Sequence, residues 1–363
     1  PCYKITFDTS DELICDHEHR WLISDNDEEI VLTTDQIYNL YSSNKKFKKL
    51  KIKCAKLELP DIDLPIDPYV LGIWLADGNS YCGMITNMTE KVWSEIEKRG
   101  YTIGHDVTKD DKADYRTVYK LRGELRKLGL LQNKHIPDIY YRSSHTQRLD
   151  LLRGFMDGDG YFNRVRNRCC MKTTKLWQAK AFMSLISSLG YKPTMFSMMG
   201  SGFGKTNIQM YDVCFTPEEN PFLARNEDYL HCMTTINFSR SKHRRIFKVE
   251  KVDTVPTKCL EVESPTHTYL AGHNYIKTHN TNKKFEYESK YKLINGLEHL
   301  PNTEYYKYAL QLSLYQVLLG LDIKTREIVW FNNNTHQIID IPFLKAEANY
   351  IIDYVNKQNY SRS

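Results

Sequence analysis

Two stretches decide the reading of this chain: Val70-Leu-Gly-Ile-Trp-Leu-Ala-Asp-Gly78 and Leu152-Arg-Gly-Phe-Met-Asp-Gly-Asp-Gly160. In each, small residues stand four apart, Gly72 with Ala76 and Gly154 with Gly158. Four positions is one face of an α-helix, so each segment predicts a helix carrying a stripe without bulk. Two such stripes let a pair of helix axes approach more closely than ridge-and-groove packing normally allows. Gly78 and Gly160 suit the left-handed residue that ends a helix. Asp77 and Asp159 come just before them. A carboxylate at the negative end of a helix dipole is disfavoured by roughly 0.3–1 kcal/mol, and two that converge also repel. A cation is therefore expected between them, and hard oxygen ligands suit Mg²⁺.

Asp77 and Asp159 lie 82 residues apart, and the chain around them repeats weakly as two units, 66–146 and 147–240. Helical periodicity predicts Tyr69–Ala76, Glu90–Arg99, Leu121–Leu131, Gln147–Met156 and Leu176–Leu189, with strands between them. These residues resemble the LAGLIDADG homing endonucleases in their two-motif, single-chain form. The resemblance covers 62–240 and implies a pseudo-dimeric αββαββα domain, acting as a monomer, that cuts both strands of a double-stranded DNA site. It makes Asp77 and Asp159 the metal-binding catalytic carboxylates, with Mg²⁺ as cofactor. Leu128-Gly-Leu-Leu-Gln-Asn-Lys-His-Ile-Pro-Asp-Ile-Tyr140 resembles the block before the second helix in intein-borne members, which makes Lys134 the active-site lysine. The lysine of the second half has no clear match, Lys242 being the nearest guess. The cluster Arg240, Lys242, Arg244 and Arg245 is expected on DNA backbone.

The flanks read differently. Residues 1–58 read as strands and turns, beginning with the alternation Tyr3-Lys-Ile-Thr-Phe7. The basic run Lys45–Lys53 fits either an edge strand with a solvated face or a phosphate-contacting strand. Pro60-Asp-Ile-Asp-Leu-Pro-Ile-Asp-Pro68 marks a hinge. Strand-like character returns from Ile246 onward. His279-Asn280-Thr281 then combines an amide able to attack its own carbonyl, a proton donor and an acyl-accepting hydroxyl.

In that setting, 245–280 resembles the C-terminal blocks of inteins, with Cys259 and His267 ahead of His279-Asn280. The stretch Ile5–Trp21 resembles their T-x-x-H block, with His19 as its histidine and Asp16 in place of threonine. The resemblance implies an all-β Hint-type splicing domain, contributed by 1–58 and 245–280 and interrupted by the nuclease; splicing itself takes no cofactor. His19 would polarise the upstream scissile amide, and Cys259 would assist transesterification or orient His279. A zinc site from Cys15, His17 and His19 is the rival use of that block. Only fifteen residues precede Asp16, so the expectation is the C-terminal part of a split intein that splices in trans with a complementary N-terminal fragment.

Residues 281–363 are expected to be a partial α/β C-extein. Gln311 and Tyr315 resemble the Q-x-x-x-Y helix of the PD-(D/E)xK exonucleases, while the acidic residues of that active site are lacking. Across the whole chain, the fold class is α+β. The 41% hydrophobic and 26% charged residues exclude wholesale disorder. A formal charge of +5 permits a nucleic-acid partner without demanding one. The nine cysteines form no C-x-x-C pair, so the expectation is a cytoplasmic or nucleoid-associated protein in a reducing compartment, with no disulfide framework. The N-terminus carries no apolar leader, and Ala309–Leu321 is broken by Gln311, Ser313 and Gln316, so no membrane role is expected. Two rival readings are a free-standing endonuclease without splicing and a maturase-type nucleic-acid binder that does not cut.

Overall fold

The computed structural model describes residues 1–25, 28–43, 50–87, 89–105, 114–202, 205–225, 227, 242–257, 260, 262, 266–279, 292–332 and 335–360. The chain divides into two compact units, Pro1–Asn280 and Thr281–Ser363.

The first unit opens with β1 (Cys2–Phe7), β2 (Glu12–Asp16), β3 (Arg20–Asp25), β4 (Glu28–Thr33), α1 (Thr34–Ser42) and β5 (Lys51–Lys53). A central stretch follows: α2 (Pro68–Asp77), β6 (Met84–Thr86), α3 (Glu90–Lys98), β7 (Tyr115–Thr117), α4 (Leu121–Lys127) and α5 (Asp138–Tyr141). It continues through α6 (His145–Gly158), β8 (Gly160–Asn163), β9 (Arg168–Thr173), α7 (Leu176–Ser188), β10 (Thr194–Gly202) and β11 (Lys205–Phe215). The chain then returns to strands in β12 (His243–Val252), β13 (Thr268–Ala271) and β14 (Ile276–His279).

The outer segments build one eight-stranded antiparallel sheet in the order β13-β14-β3-β5-β12-β1-β2, with β4 on β3. Alternation makes this possible: Tyr3, Ile5 and Phe7 on β1 turn inward onto Trp21, Ile23, Ile52, Ile246 and Val249. Two expectations are corrected here. Residues 34–42 are a helix, because Thr33 and Gln36 form a reciprocal capping box that starts one. The described end of the basic run, β5, is an interior strand held between β3 and β12, with Ile52 buried.

The central stretch has its own core and runs twice through the same order. In the second half, α6 leads to a four-stranded sheet ordered β8-β9-β11-β10. In the first half, β6 and β7 form the inner pair, extended by single bridges Gly78–Ile85 and Ile103–Val118. Both sheets therefore follow the order first, second, fourth, third, and the helix–hairpin–helix–hairpin repeat is explicit. Cys170 and Cys214 face each other across β9 and β11 and are joined as a disulfide. The expectation that the cysteines stay unpaired is corrected for this pair, since register unites residues that are 44 apart in sequence.

The second unit comprises α8 (Glu304–Leu319), β15 (Glu327–Asn332), β16 (Thr335–Asp340) and α9 (Lys345–Tyr360). Its buried cluster is Ala309, Ile339 and Ile341. Among the described residues no helix is long and apolar enough to cross a membrane.

Candidate functional site

Helix α2 is apolar on every face and buried from Pro68 to Leu75. Asp67 caps its start by accepting from the Tyr69 and Val70 amides, and Pro68 occupies the first turn. Its partner is α6, started by a Ser144–Gln147 capping box. The two helices meet backbone to backbone where the small residues predicted it. A Cβ added to Gly154 would overlap the Tyr69 carbonyl and lie 2.9 Å from the Gly72 Cα. One added to Gly158 would lie 2.6 Å from the Ala76 Cβ and 3.2 Å from Asp77 Oδ2.

The end glycines act by space and not by handedness. Gly78 is extended, with φ −76° and ψ 150°, and Gly160 does not have a positive φ. A Cβ at Gly78 would meet the Trp74 ring and carbonyl, and one at Gly160 the Met156 backbone. The left-handed helix ends expected from the sequence are thus replaced by a tight turn from helix into hairpin.

This packing brings Asp77 and Asp159 into one electrostatic site. Burial, and after it the Asp159 carboxylate, push Asp77 up to about 6; Asn87, Lys134 and Arg225 oppose the shift. Asn87 donates to Asp77 Oδ2 at 2.8 Å. Burial raises Asp159 as well, against Lys134 and Lys175. Lys134 adds one positive charge at this helix end, distinct from the Mg²⁺ expected between the carboxylates. Its ammonium donates to the carbonyls of Trp74 (2.8 Å), Leu75 (3.2 Å) and Gly78 (2.6 Å), closing the C-terminus of α2. Burial and then Lys175 bring Lys134 down to about 8, while both carboxylates favour its charge. An adjoining cleft of about 600 Å³ is lined by Ala76, Gly78, Ser80, Lys134, Lys175 and Trp177 among others.

The second half has a related contact, made by residues the sequence reading missed. Arg225 donates to the Gly160 carbonyl at 2.7 Å, as Lys134 does to Gly78. Asp157 is 2% exposed and fixes this segment, accepting from the amides of Leu223, Ala224 and Arg225 and from the Tyr69 hydroxyl. The alternation Asp157-Gly-Asp159 was visible, but an inward role for the first acid depends on a loop 66 residues away. Lys242, the earlier guess, instead pairs with Glu218 at 2.9 Å.

Two adjacent carboxylates held above their ordinary range fit a divalent cation that takes its remaining ligands from water and phosphate. The three-residue group Cys170, Asp212 and Cys214 also brings potential ligand atoms together, but two of them are spent on the disulfide.

The expected DNA contacts divide. Arg244 is corrected: it is 2% exposed, with its guanidinium on Ser187 Oγ and the Asn274 and Tyr275 carbonyls. Arg245 is exposed beside Asp8, and Arg240 lies outside the described residues. Basic groups interleave with rings elsewhere, on β8 to β11: Arg166 stacks over Phe196 at 4.8 Å and Lys172 over Tyr161 at 5.8 Å. The other face of these strands, with Cys169, Met171, Val213 and Phe215, is core.

A second cluster forms in the eight-stranded sheet. Asp16 Oδ1 accepts from the Glu18 and His19 amides, holding the turn that carries His19. His19 Nε2 bonds the Thr278 hydroxyl, a partner the sequence reading missed. Its pKa is lowered, chiefly by burial and secondarily by His279, with Asp16 opposing. His279 pairs with Arg20 on β3 and Thr268 on β13, and its ring centre lies 6.1 Å from that of His267. Cys259, Asn280 and Thr281 lie outside the described residues. The zinc alternative is not assembled: the Cys15 sulfur contacts Thr34 and the Tyr3 carbonyl, His19 turns to Thr278, and among the described residues Cys15, His17 and His19 do not bring their ligand atoms together. In the second unit, Gln311 donates to the Tyr315 hydroxyl at 2.8 Å, so both share one face of α8.

No protein-family model matches the chain. The replicative DNA helicase DnaB of Mycobacterium intracellulare is 28% identical over 305 residues, covering 77% of this chain and 50% of that protein. The ATP-dependent DNA helicase Hel308 of Thermococcus kodakarensis is 30% identical over 165 residues, 40% of this chain and 15% of that protein. The chain thus spans about half the length of the first relative and much less of the second. Solved structures of the homing endonuclease I-DmoI align with it as well. Its complex with DNA and Mn has a TM-score of 0.30 and 13% identity, and covers 47% of this chain and 98% of that one. A mesophilic variant gives 0.30 and 14%, over 47% and 97%.

Proposed function

We propose that the chain is an intein-borne LAGLIDADG endonuclease: 62–240 cut a specific DNA duplex, and 1–58 with 245–280 carry out protein splicing. The observation that carries the nuclease reading is the meeting of Asp77 and Asp159 at the ends of two glycine-packed helices. Asp77 and Asp159 would hold Mg²⁺, which supplies a Lewis acid for the phosphodiester oxygens. Lys134, Lys175 and Arg225 add positive charge where phosphate must approach. The rings and cations on β8 to β11 offer the duplex a surface that binds backbone and reads bases.

The test is cleavage of a randomised duplex library in Mg²⁺, with capture of the cut ends. Discrete double-strand cuts are expected, lost by at least about 100-fold in Asp77→Asn and in Asp159→Asn. Salt-sensitive binding without cutting would favour the maturase-type reading instead.

The splicing reading is supported by the way His19, Thr278, His279 and His267 gather from distant segments. It is supported too by partial likeness to two different helicases, which is what a shared insertion would leave. In this reading Asp16 orients His19, and the Thr281 hydroxyl takes the acyl group from an ester or thioester on the complementary N-terminal fragment, releasing that fragment's hydroxyl or thiol, with Cys259 assisting. Asn280 then cyclises to a succinimide, breaking its bond to Thr281, whose leaving amine His279 protonates. Residues 281–363 would be host protein, with Gln311 and Tyr315 as an exonuclease-type helix.

A further inference from the structure

We propose that helix α7 of the nuclease half positions the peptide-cleaving centre by gripping the turn between β13 and β14. This rests on the splicing reading and adds a dependence between its two parts. Among the described residues, β14 pairs by backbone with β3 only at His279 and Arg20, beside the His19–Thr278 bond. A strand of four residues, spanning about 13 Å, needs its other end held as well if it is to present Thr278 and His279 in place. That second anchorage is the turn Gly272–Tyr275. Ser184 of α7 donates to Asn274 Oδ1 at 2.9 Å. Asn274 in turn donates to Asp11 at the start of β2. The buried Arg244 donates to Ser187 Oγ of α7 (2.8 Å) and to the Asn274 carbonyl (2.7 Å). The Tyr275 carbonyl accepts from the same guanidinium at 3.4 Å.

Ser184 and Asn274 are therefore positioning residues. They touch no reacting atom, but they set where β14 places His279. The test uses the full chain as wild type, Ser184→Ala and Ser184→Thr. Scission after Asn280 is followed by intact mass, alongside DNA cutting and the thermal midpoint of the same preparations.

Ser184→Ala should slow scission about five- to tenfold, the weight of one hydrogen bond, with DNA cutting unchanged and the thermal midpoint lowered by no more than a few degrees. Ser184→Thr, which keeps the hydroxyl, should restore it. Equal scission in wild type and Ser184→Ala overturns the inference alone. A fall in scission, DNA cutting and thermal midpoint together also overturns it, because it would then reflect general destabilisation. A wild-type chain that cuts DNA but never breaks at Asn280 overturns the splicing reading and takes the inference with it.

Discussion

Asp77 sits where its own charge is unwelcome: it is half-buried, is repelled by a second carboxylate and closes a helix at its negative end. Its proton is held to about pH 6 in the fold but only to the ordinary carboxylate range in the unfolded chain. Without metal, its contribution to stability is therefore most favourable at acid pH and declines as pH rises from about 4 to about 6. Asp77→Asn should stabilise the metal-free protein at pH 8 by roughly 1–3 kcal/mol. Urea unfolding in EDTA at pH 8 measures this, and an unchanged midpoint would contradict it. Mg²⁺ should stabilise the wild type and not the variant. Asp77, Asp159 and Lys134 were legible because their motifs are contiguous. Arg225 and Asp157 were not, because their role depends on a contact between a helix end and a remote loop.

At the scale of elements, the small-residue stripes were legible for a geometric reason, since spacing alone sets which residues share a helix face. The structure adds how little tolerance they leave. Gly154→Ala should destabilise by roughly 2–4 kcal/mol, because the added methyl meets the backbone of α2 and the helices must part. Gly123→Ala is the control: it lies within α4 with nothing within 4 Å of its new methyl, and should stabilise by about 0.5–1 kcal/mol. Denaturant unfolding of the two variants decides it, and losses of similar size would refute the packing argument. The sequence reading missed α1 because Thr33-x-x-Gln36 was passed over in a strand-rich region. It left the basic run as an edge strand or a phosphate-contacting one, because lysines alternating with isoleucine cannot report what lies on either side.

On the scale of the whole molecule, one unit carries two extensive cores and the other a cluster of Ala309, Ile339 and Ile341. Calorimetry should resolve two transitions, with the weaker one belonging to 281–363, since so small a core leaves little to offset chain entropy. A chain ending at Asn280 should lose that transition and keep the other. Loss of the main transition on truncation would show that the units do not fold independently. Leu318, Leu319 and Ile338 of the second unit are each more than half exposed.

Sequence by itself determined the helix pair, the order of elements around it and the chemical types gathered at its end, because all of these follow from local spacing and residue chemistry. Tertiary structure alone decided that a lysine closes the end of α2, that an arginine binds the first strand carbonyl after α6, and that Arg244 is internal. It alone joined Cys170 to Cys214 and held His19 against Thr278. These pairings unite residues from 30 to 259 positions apart, and a contact of that range is fixed by packing and register, which no local pattern encodes.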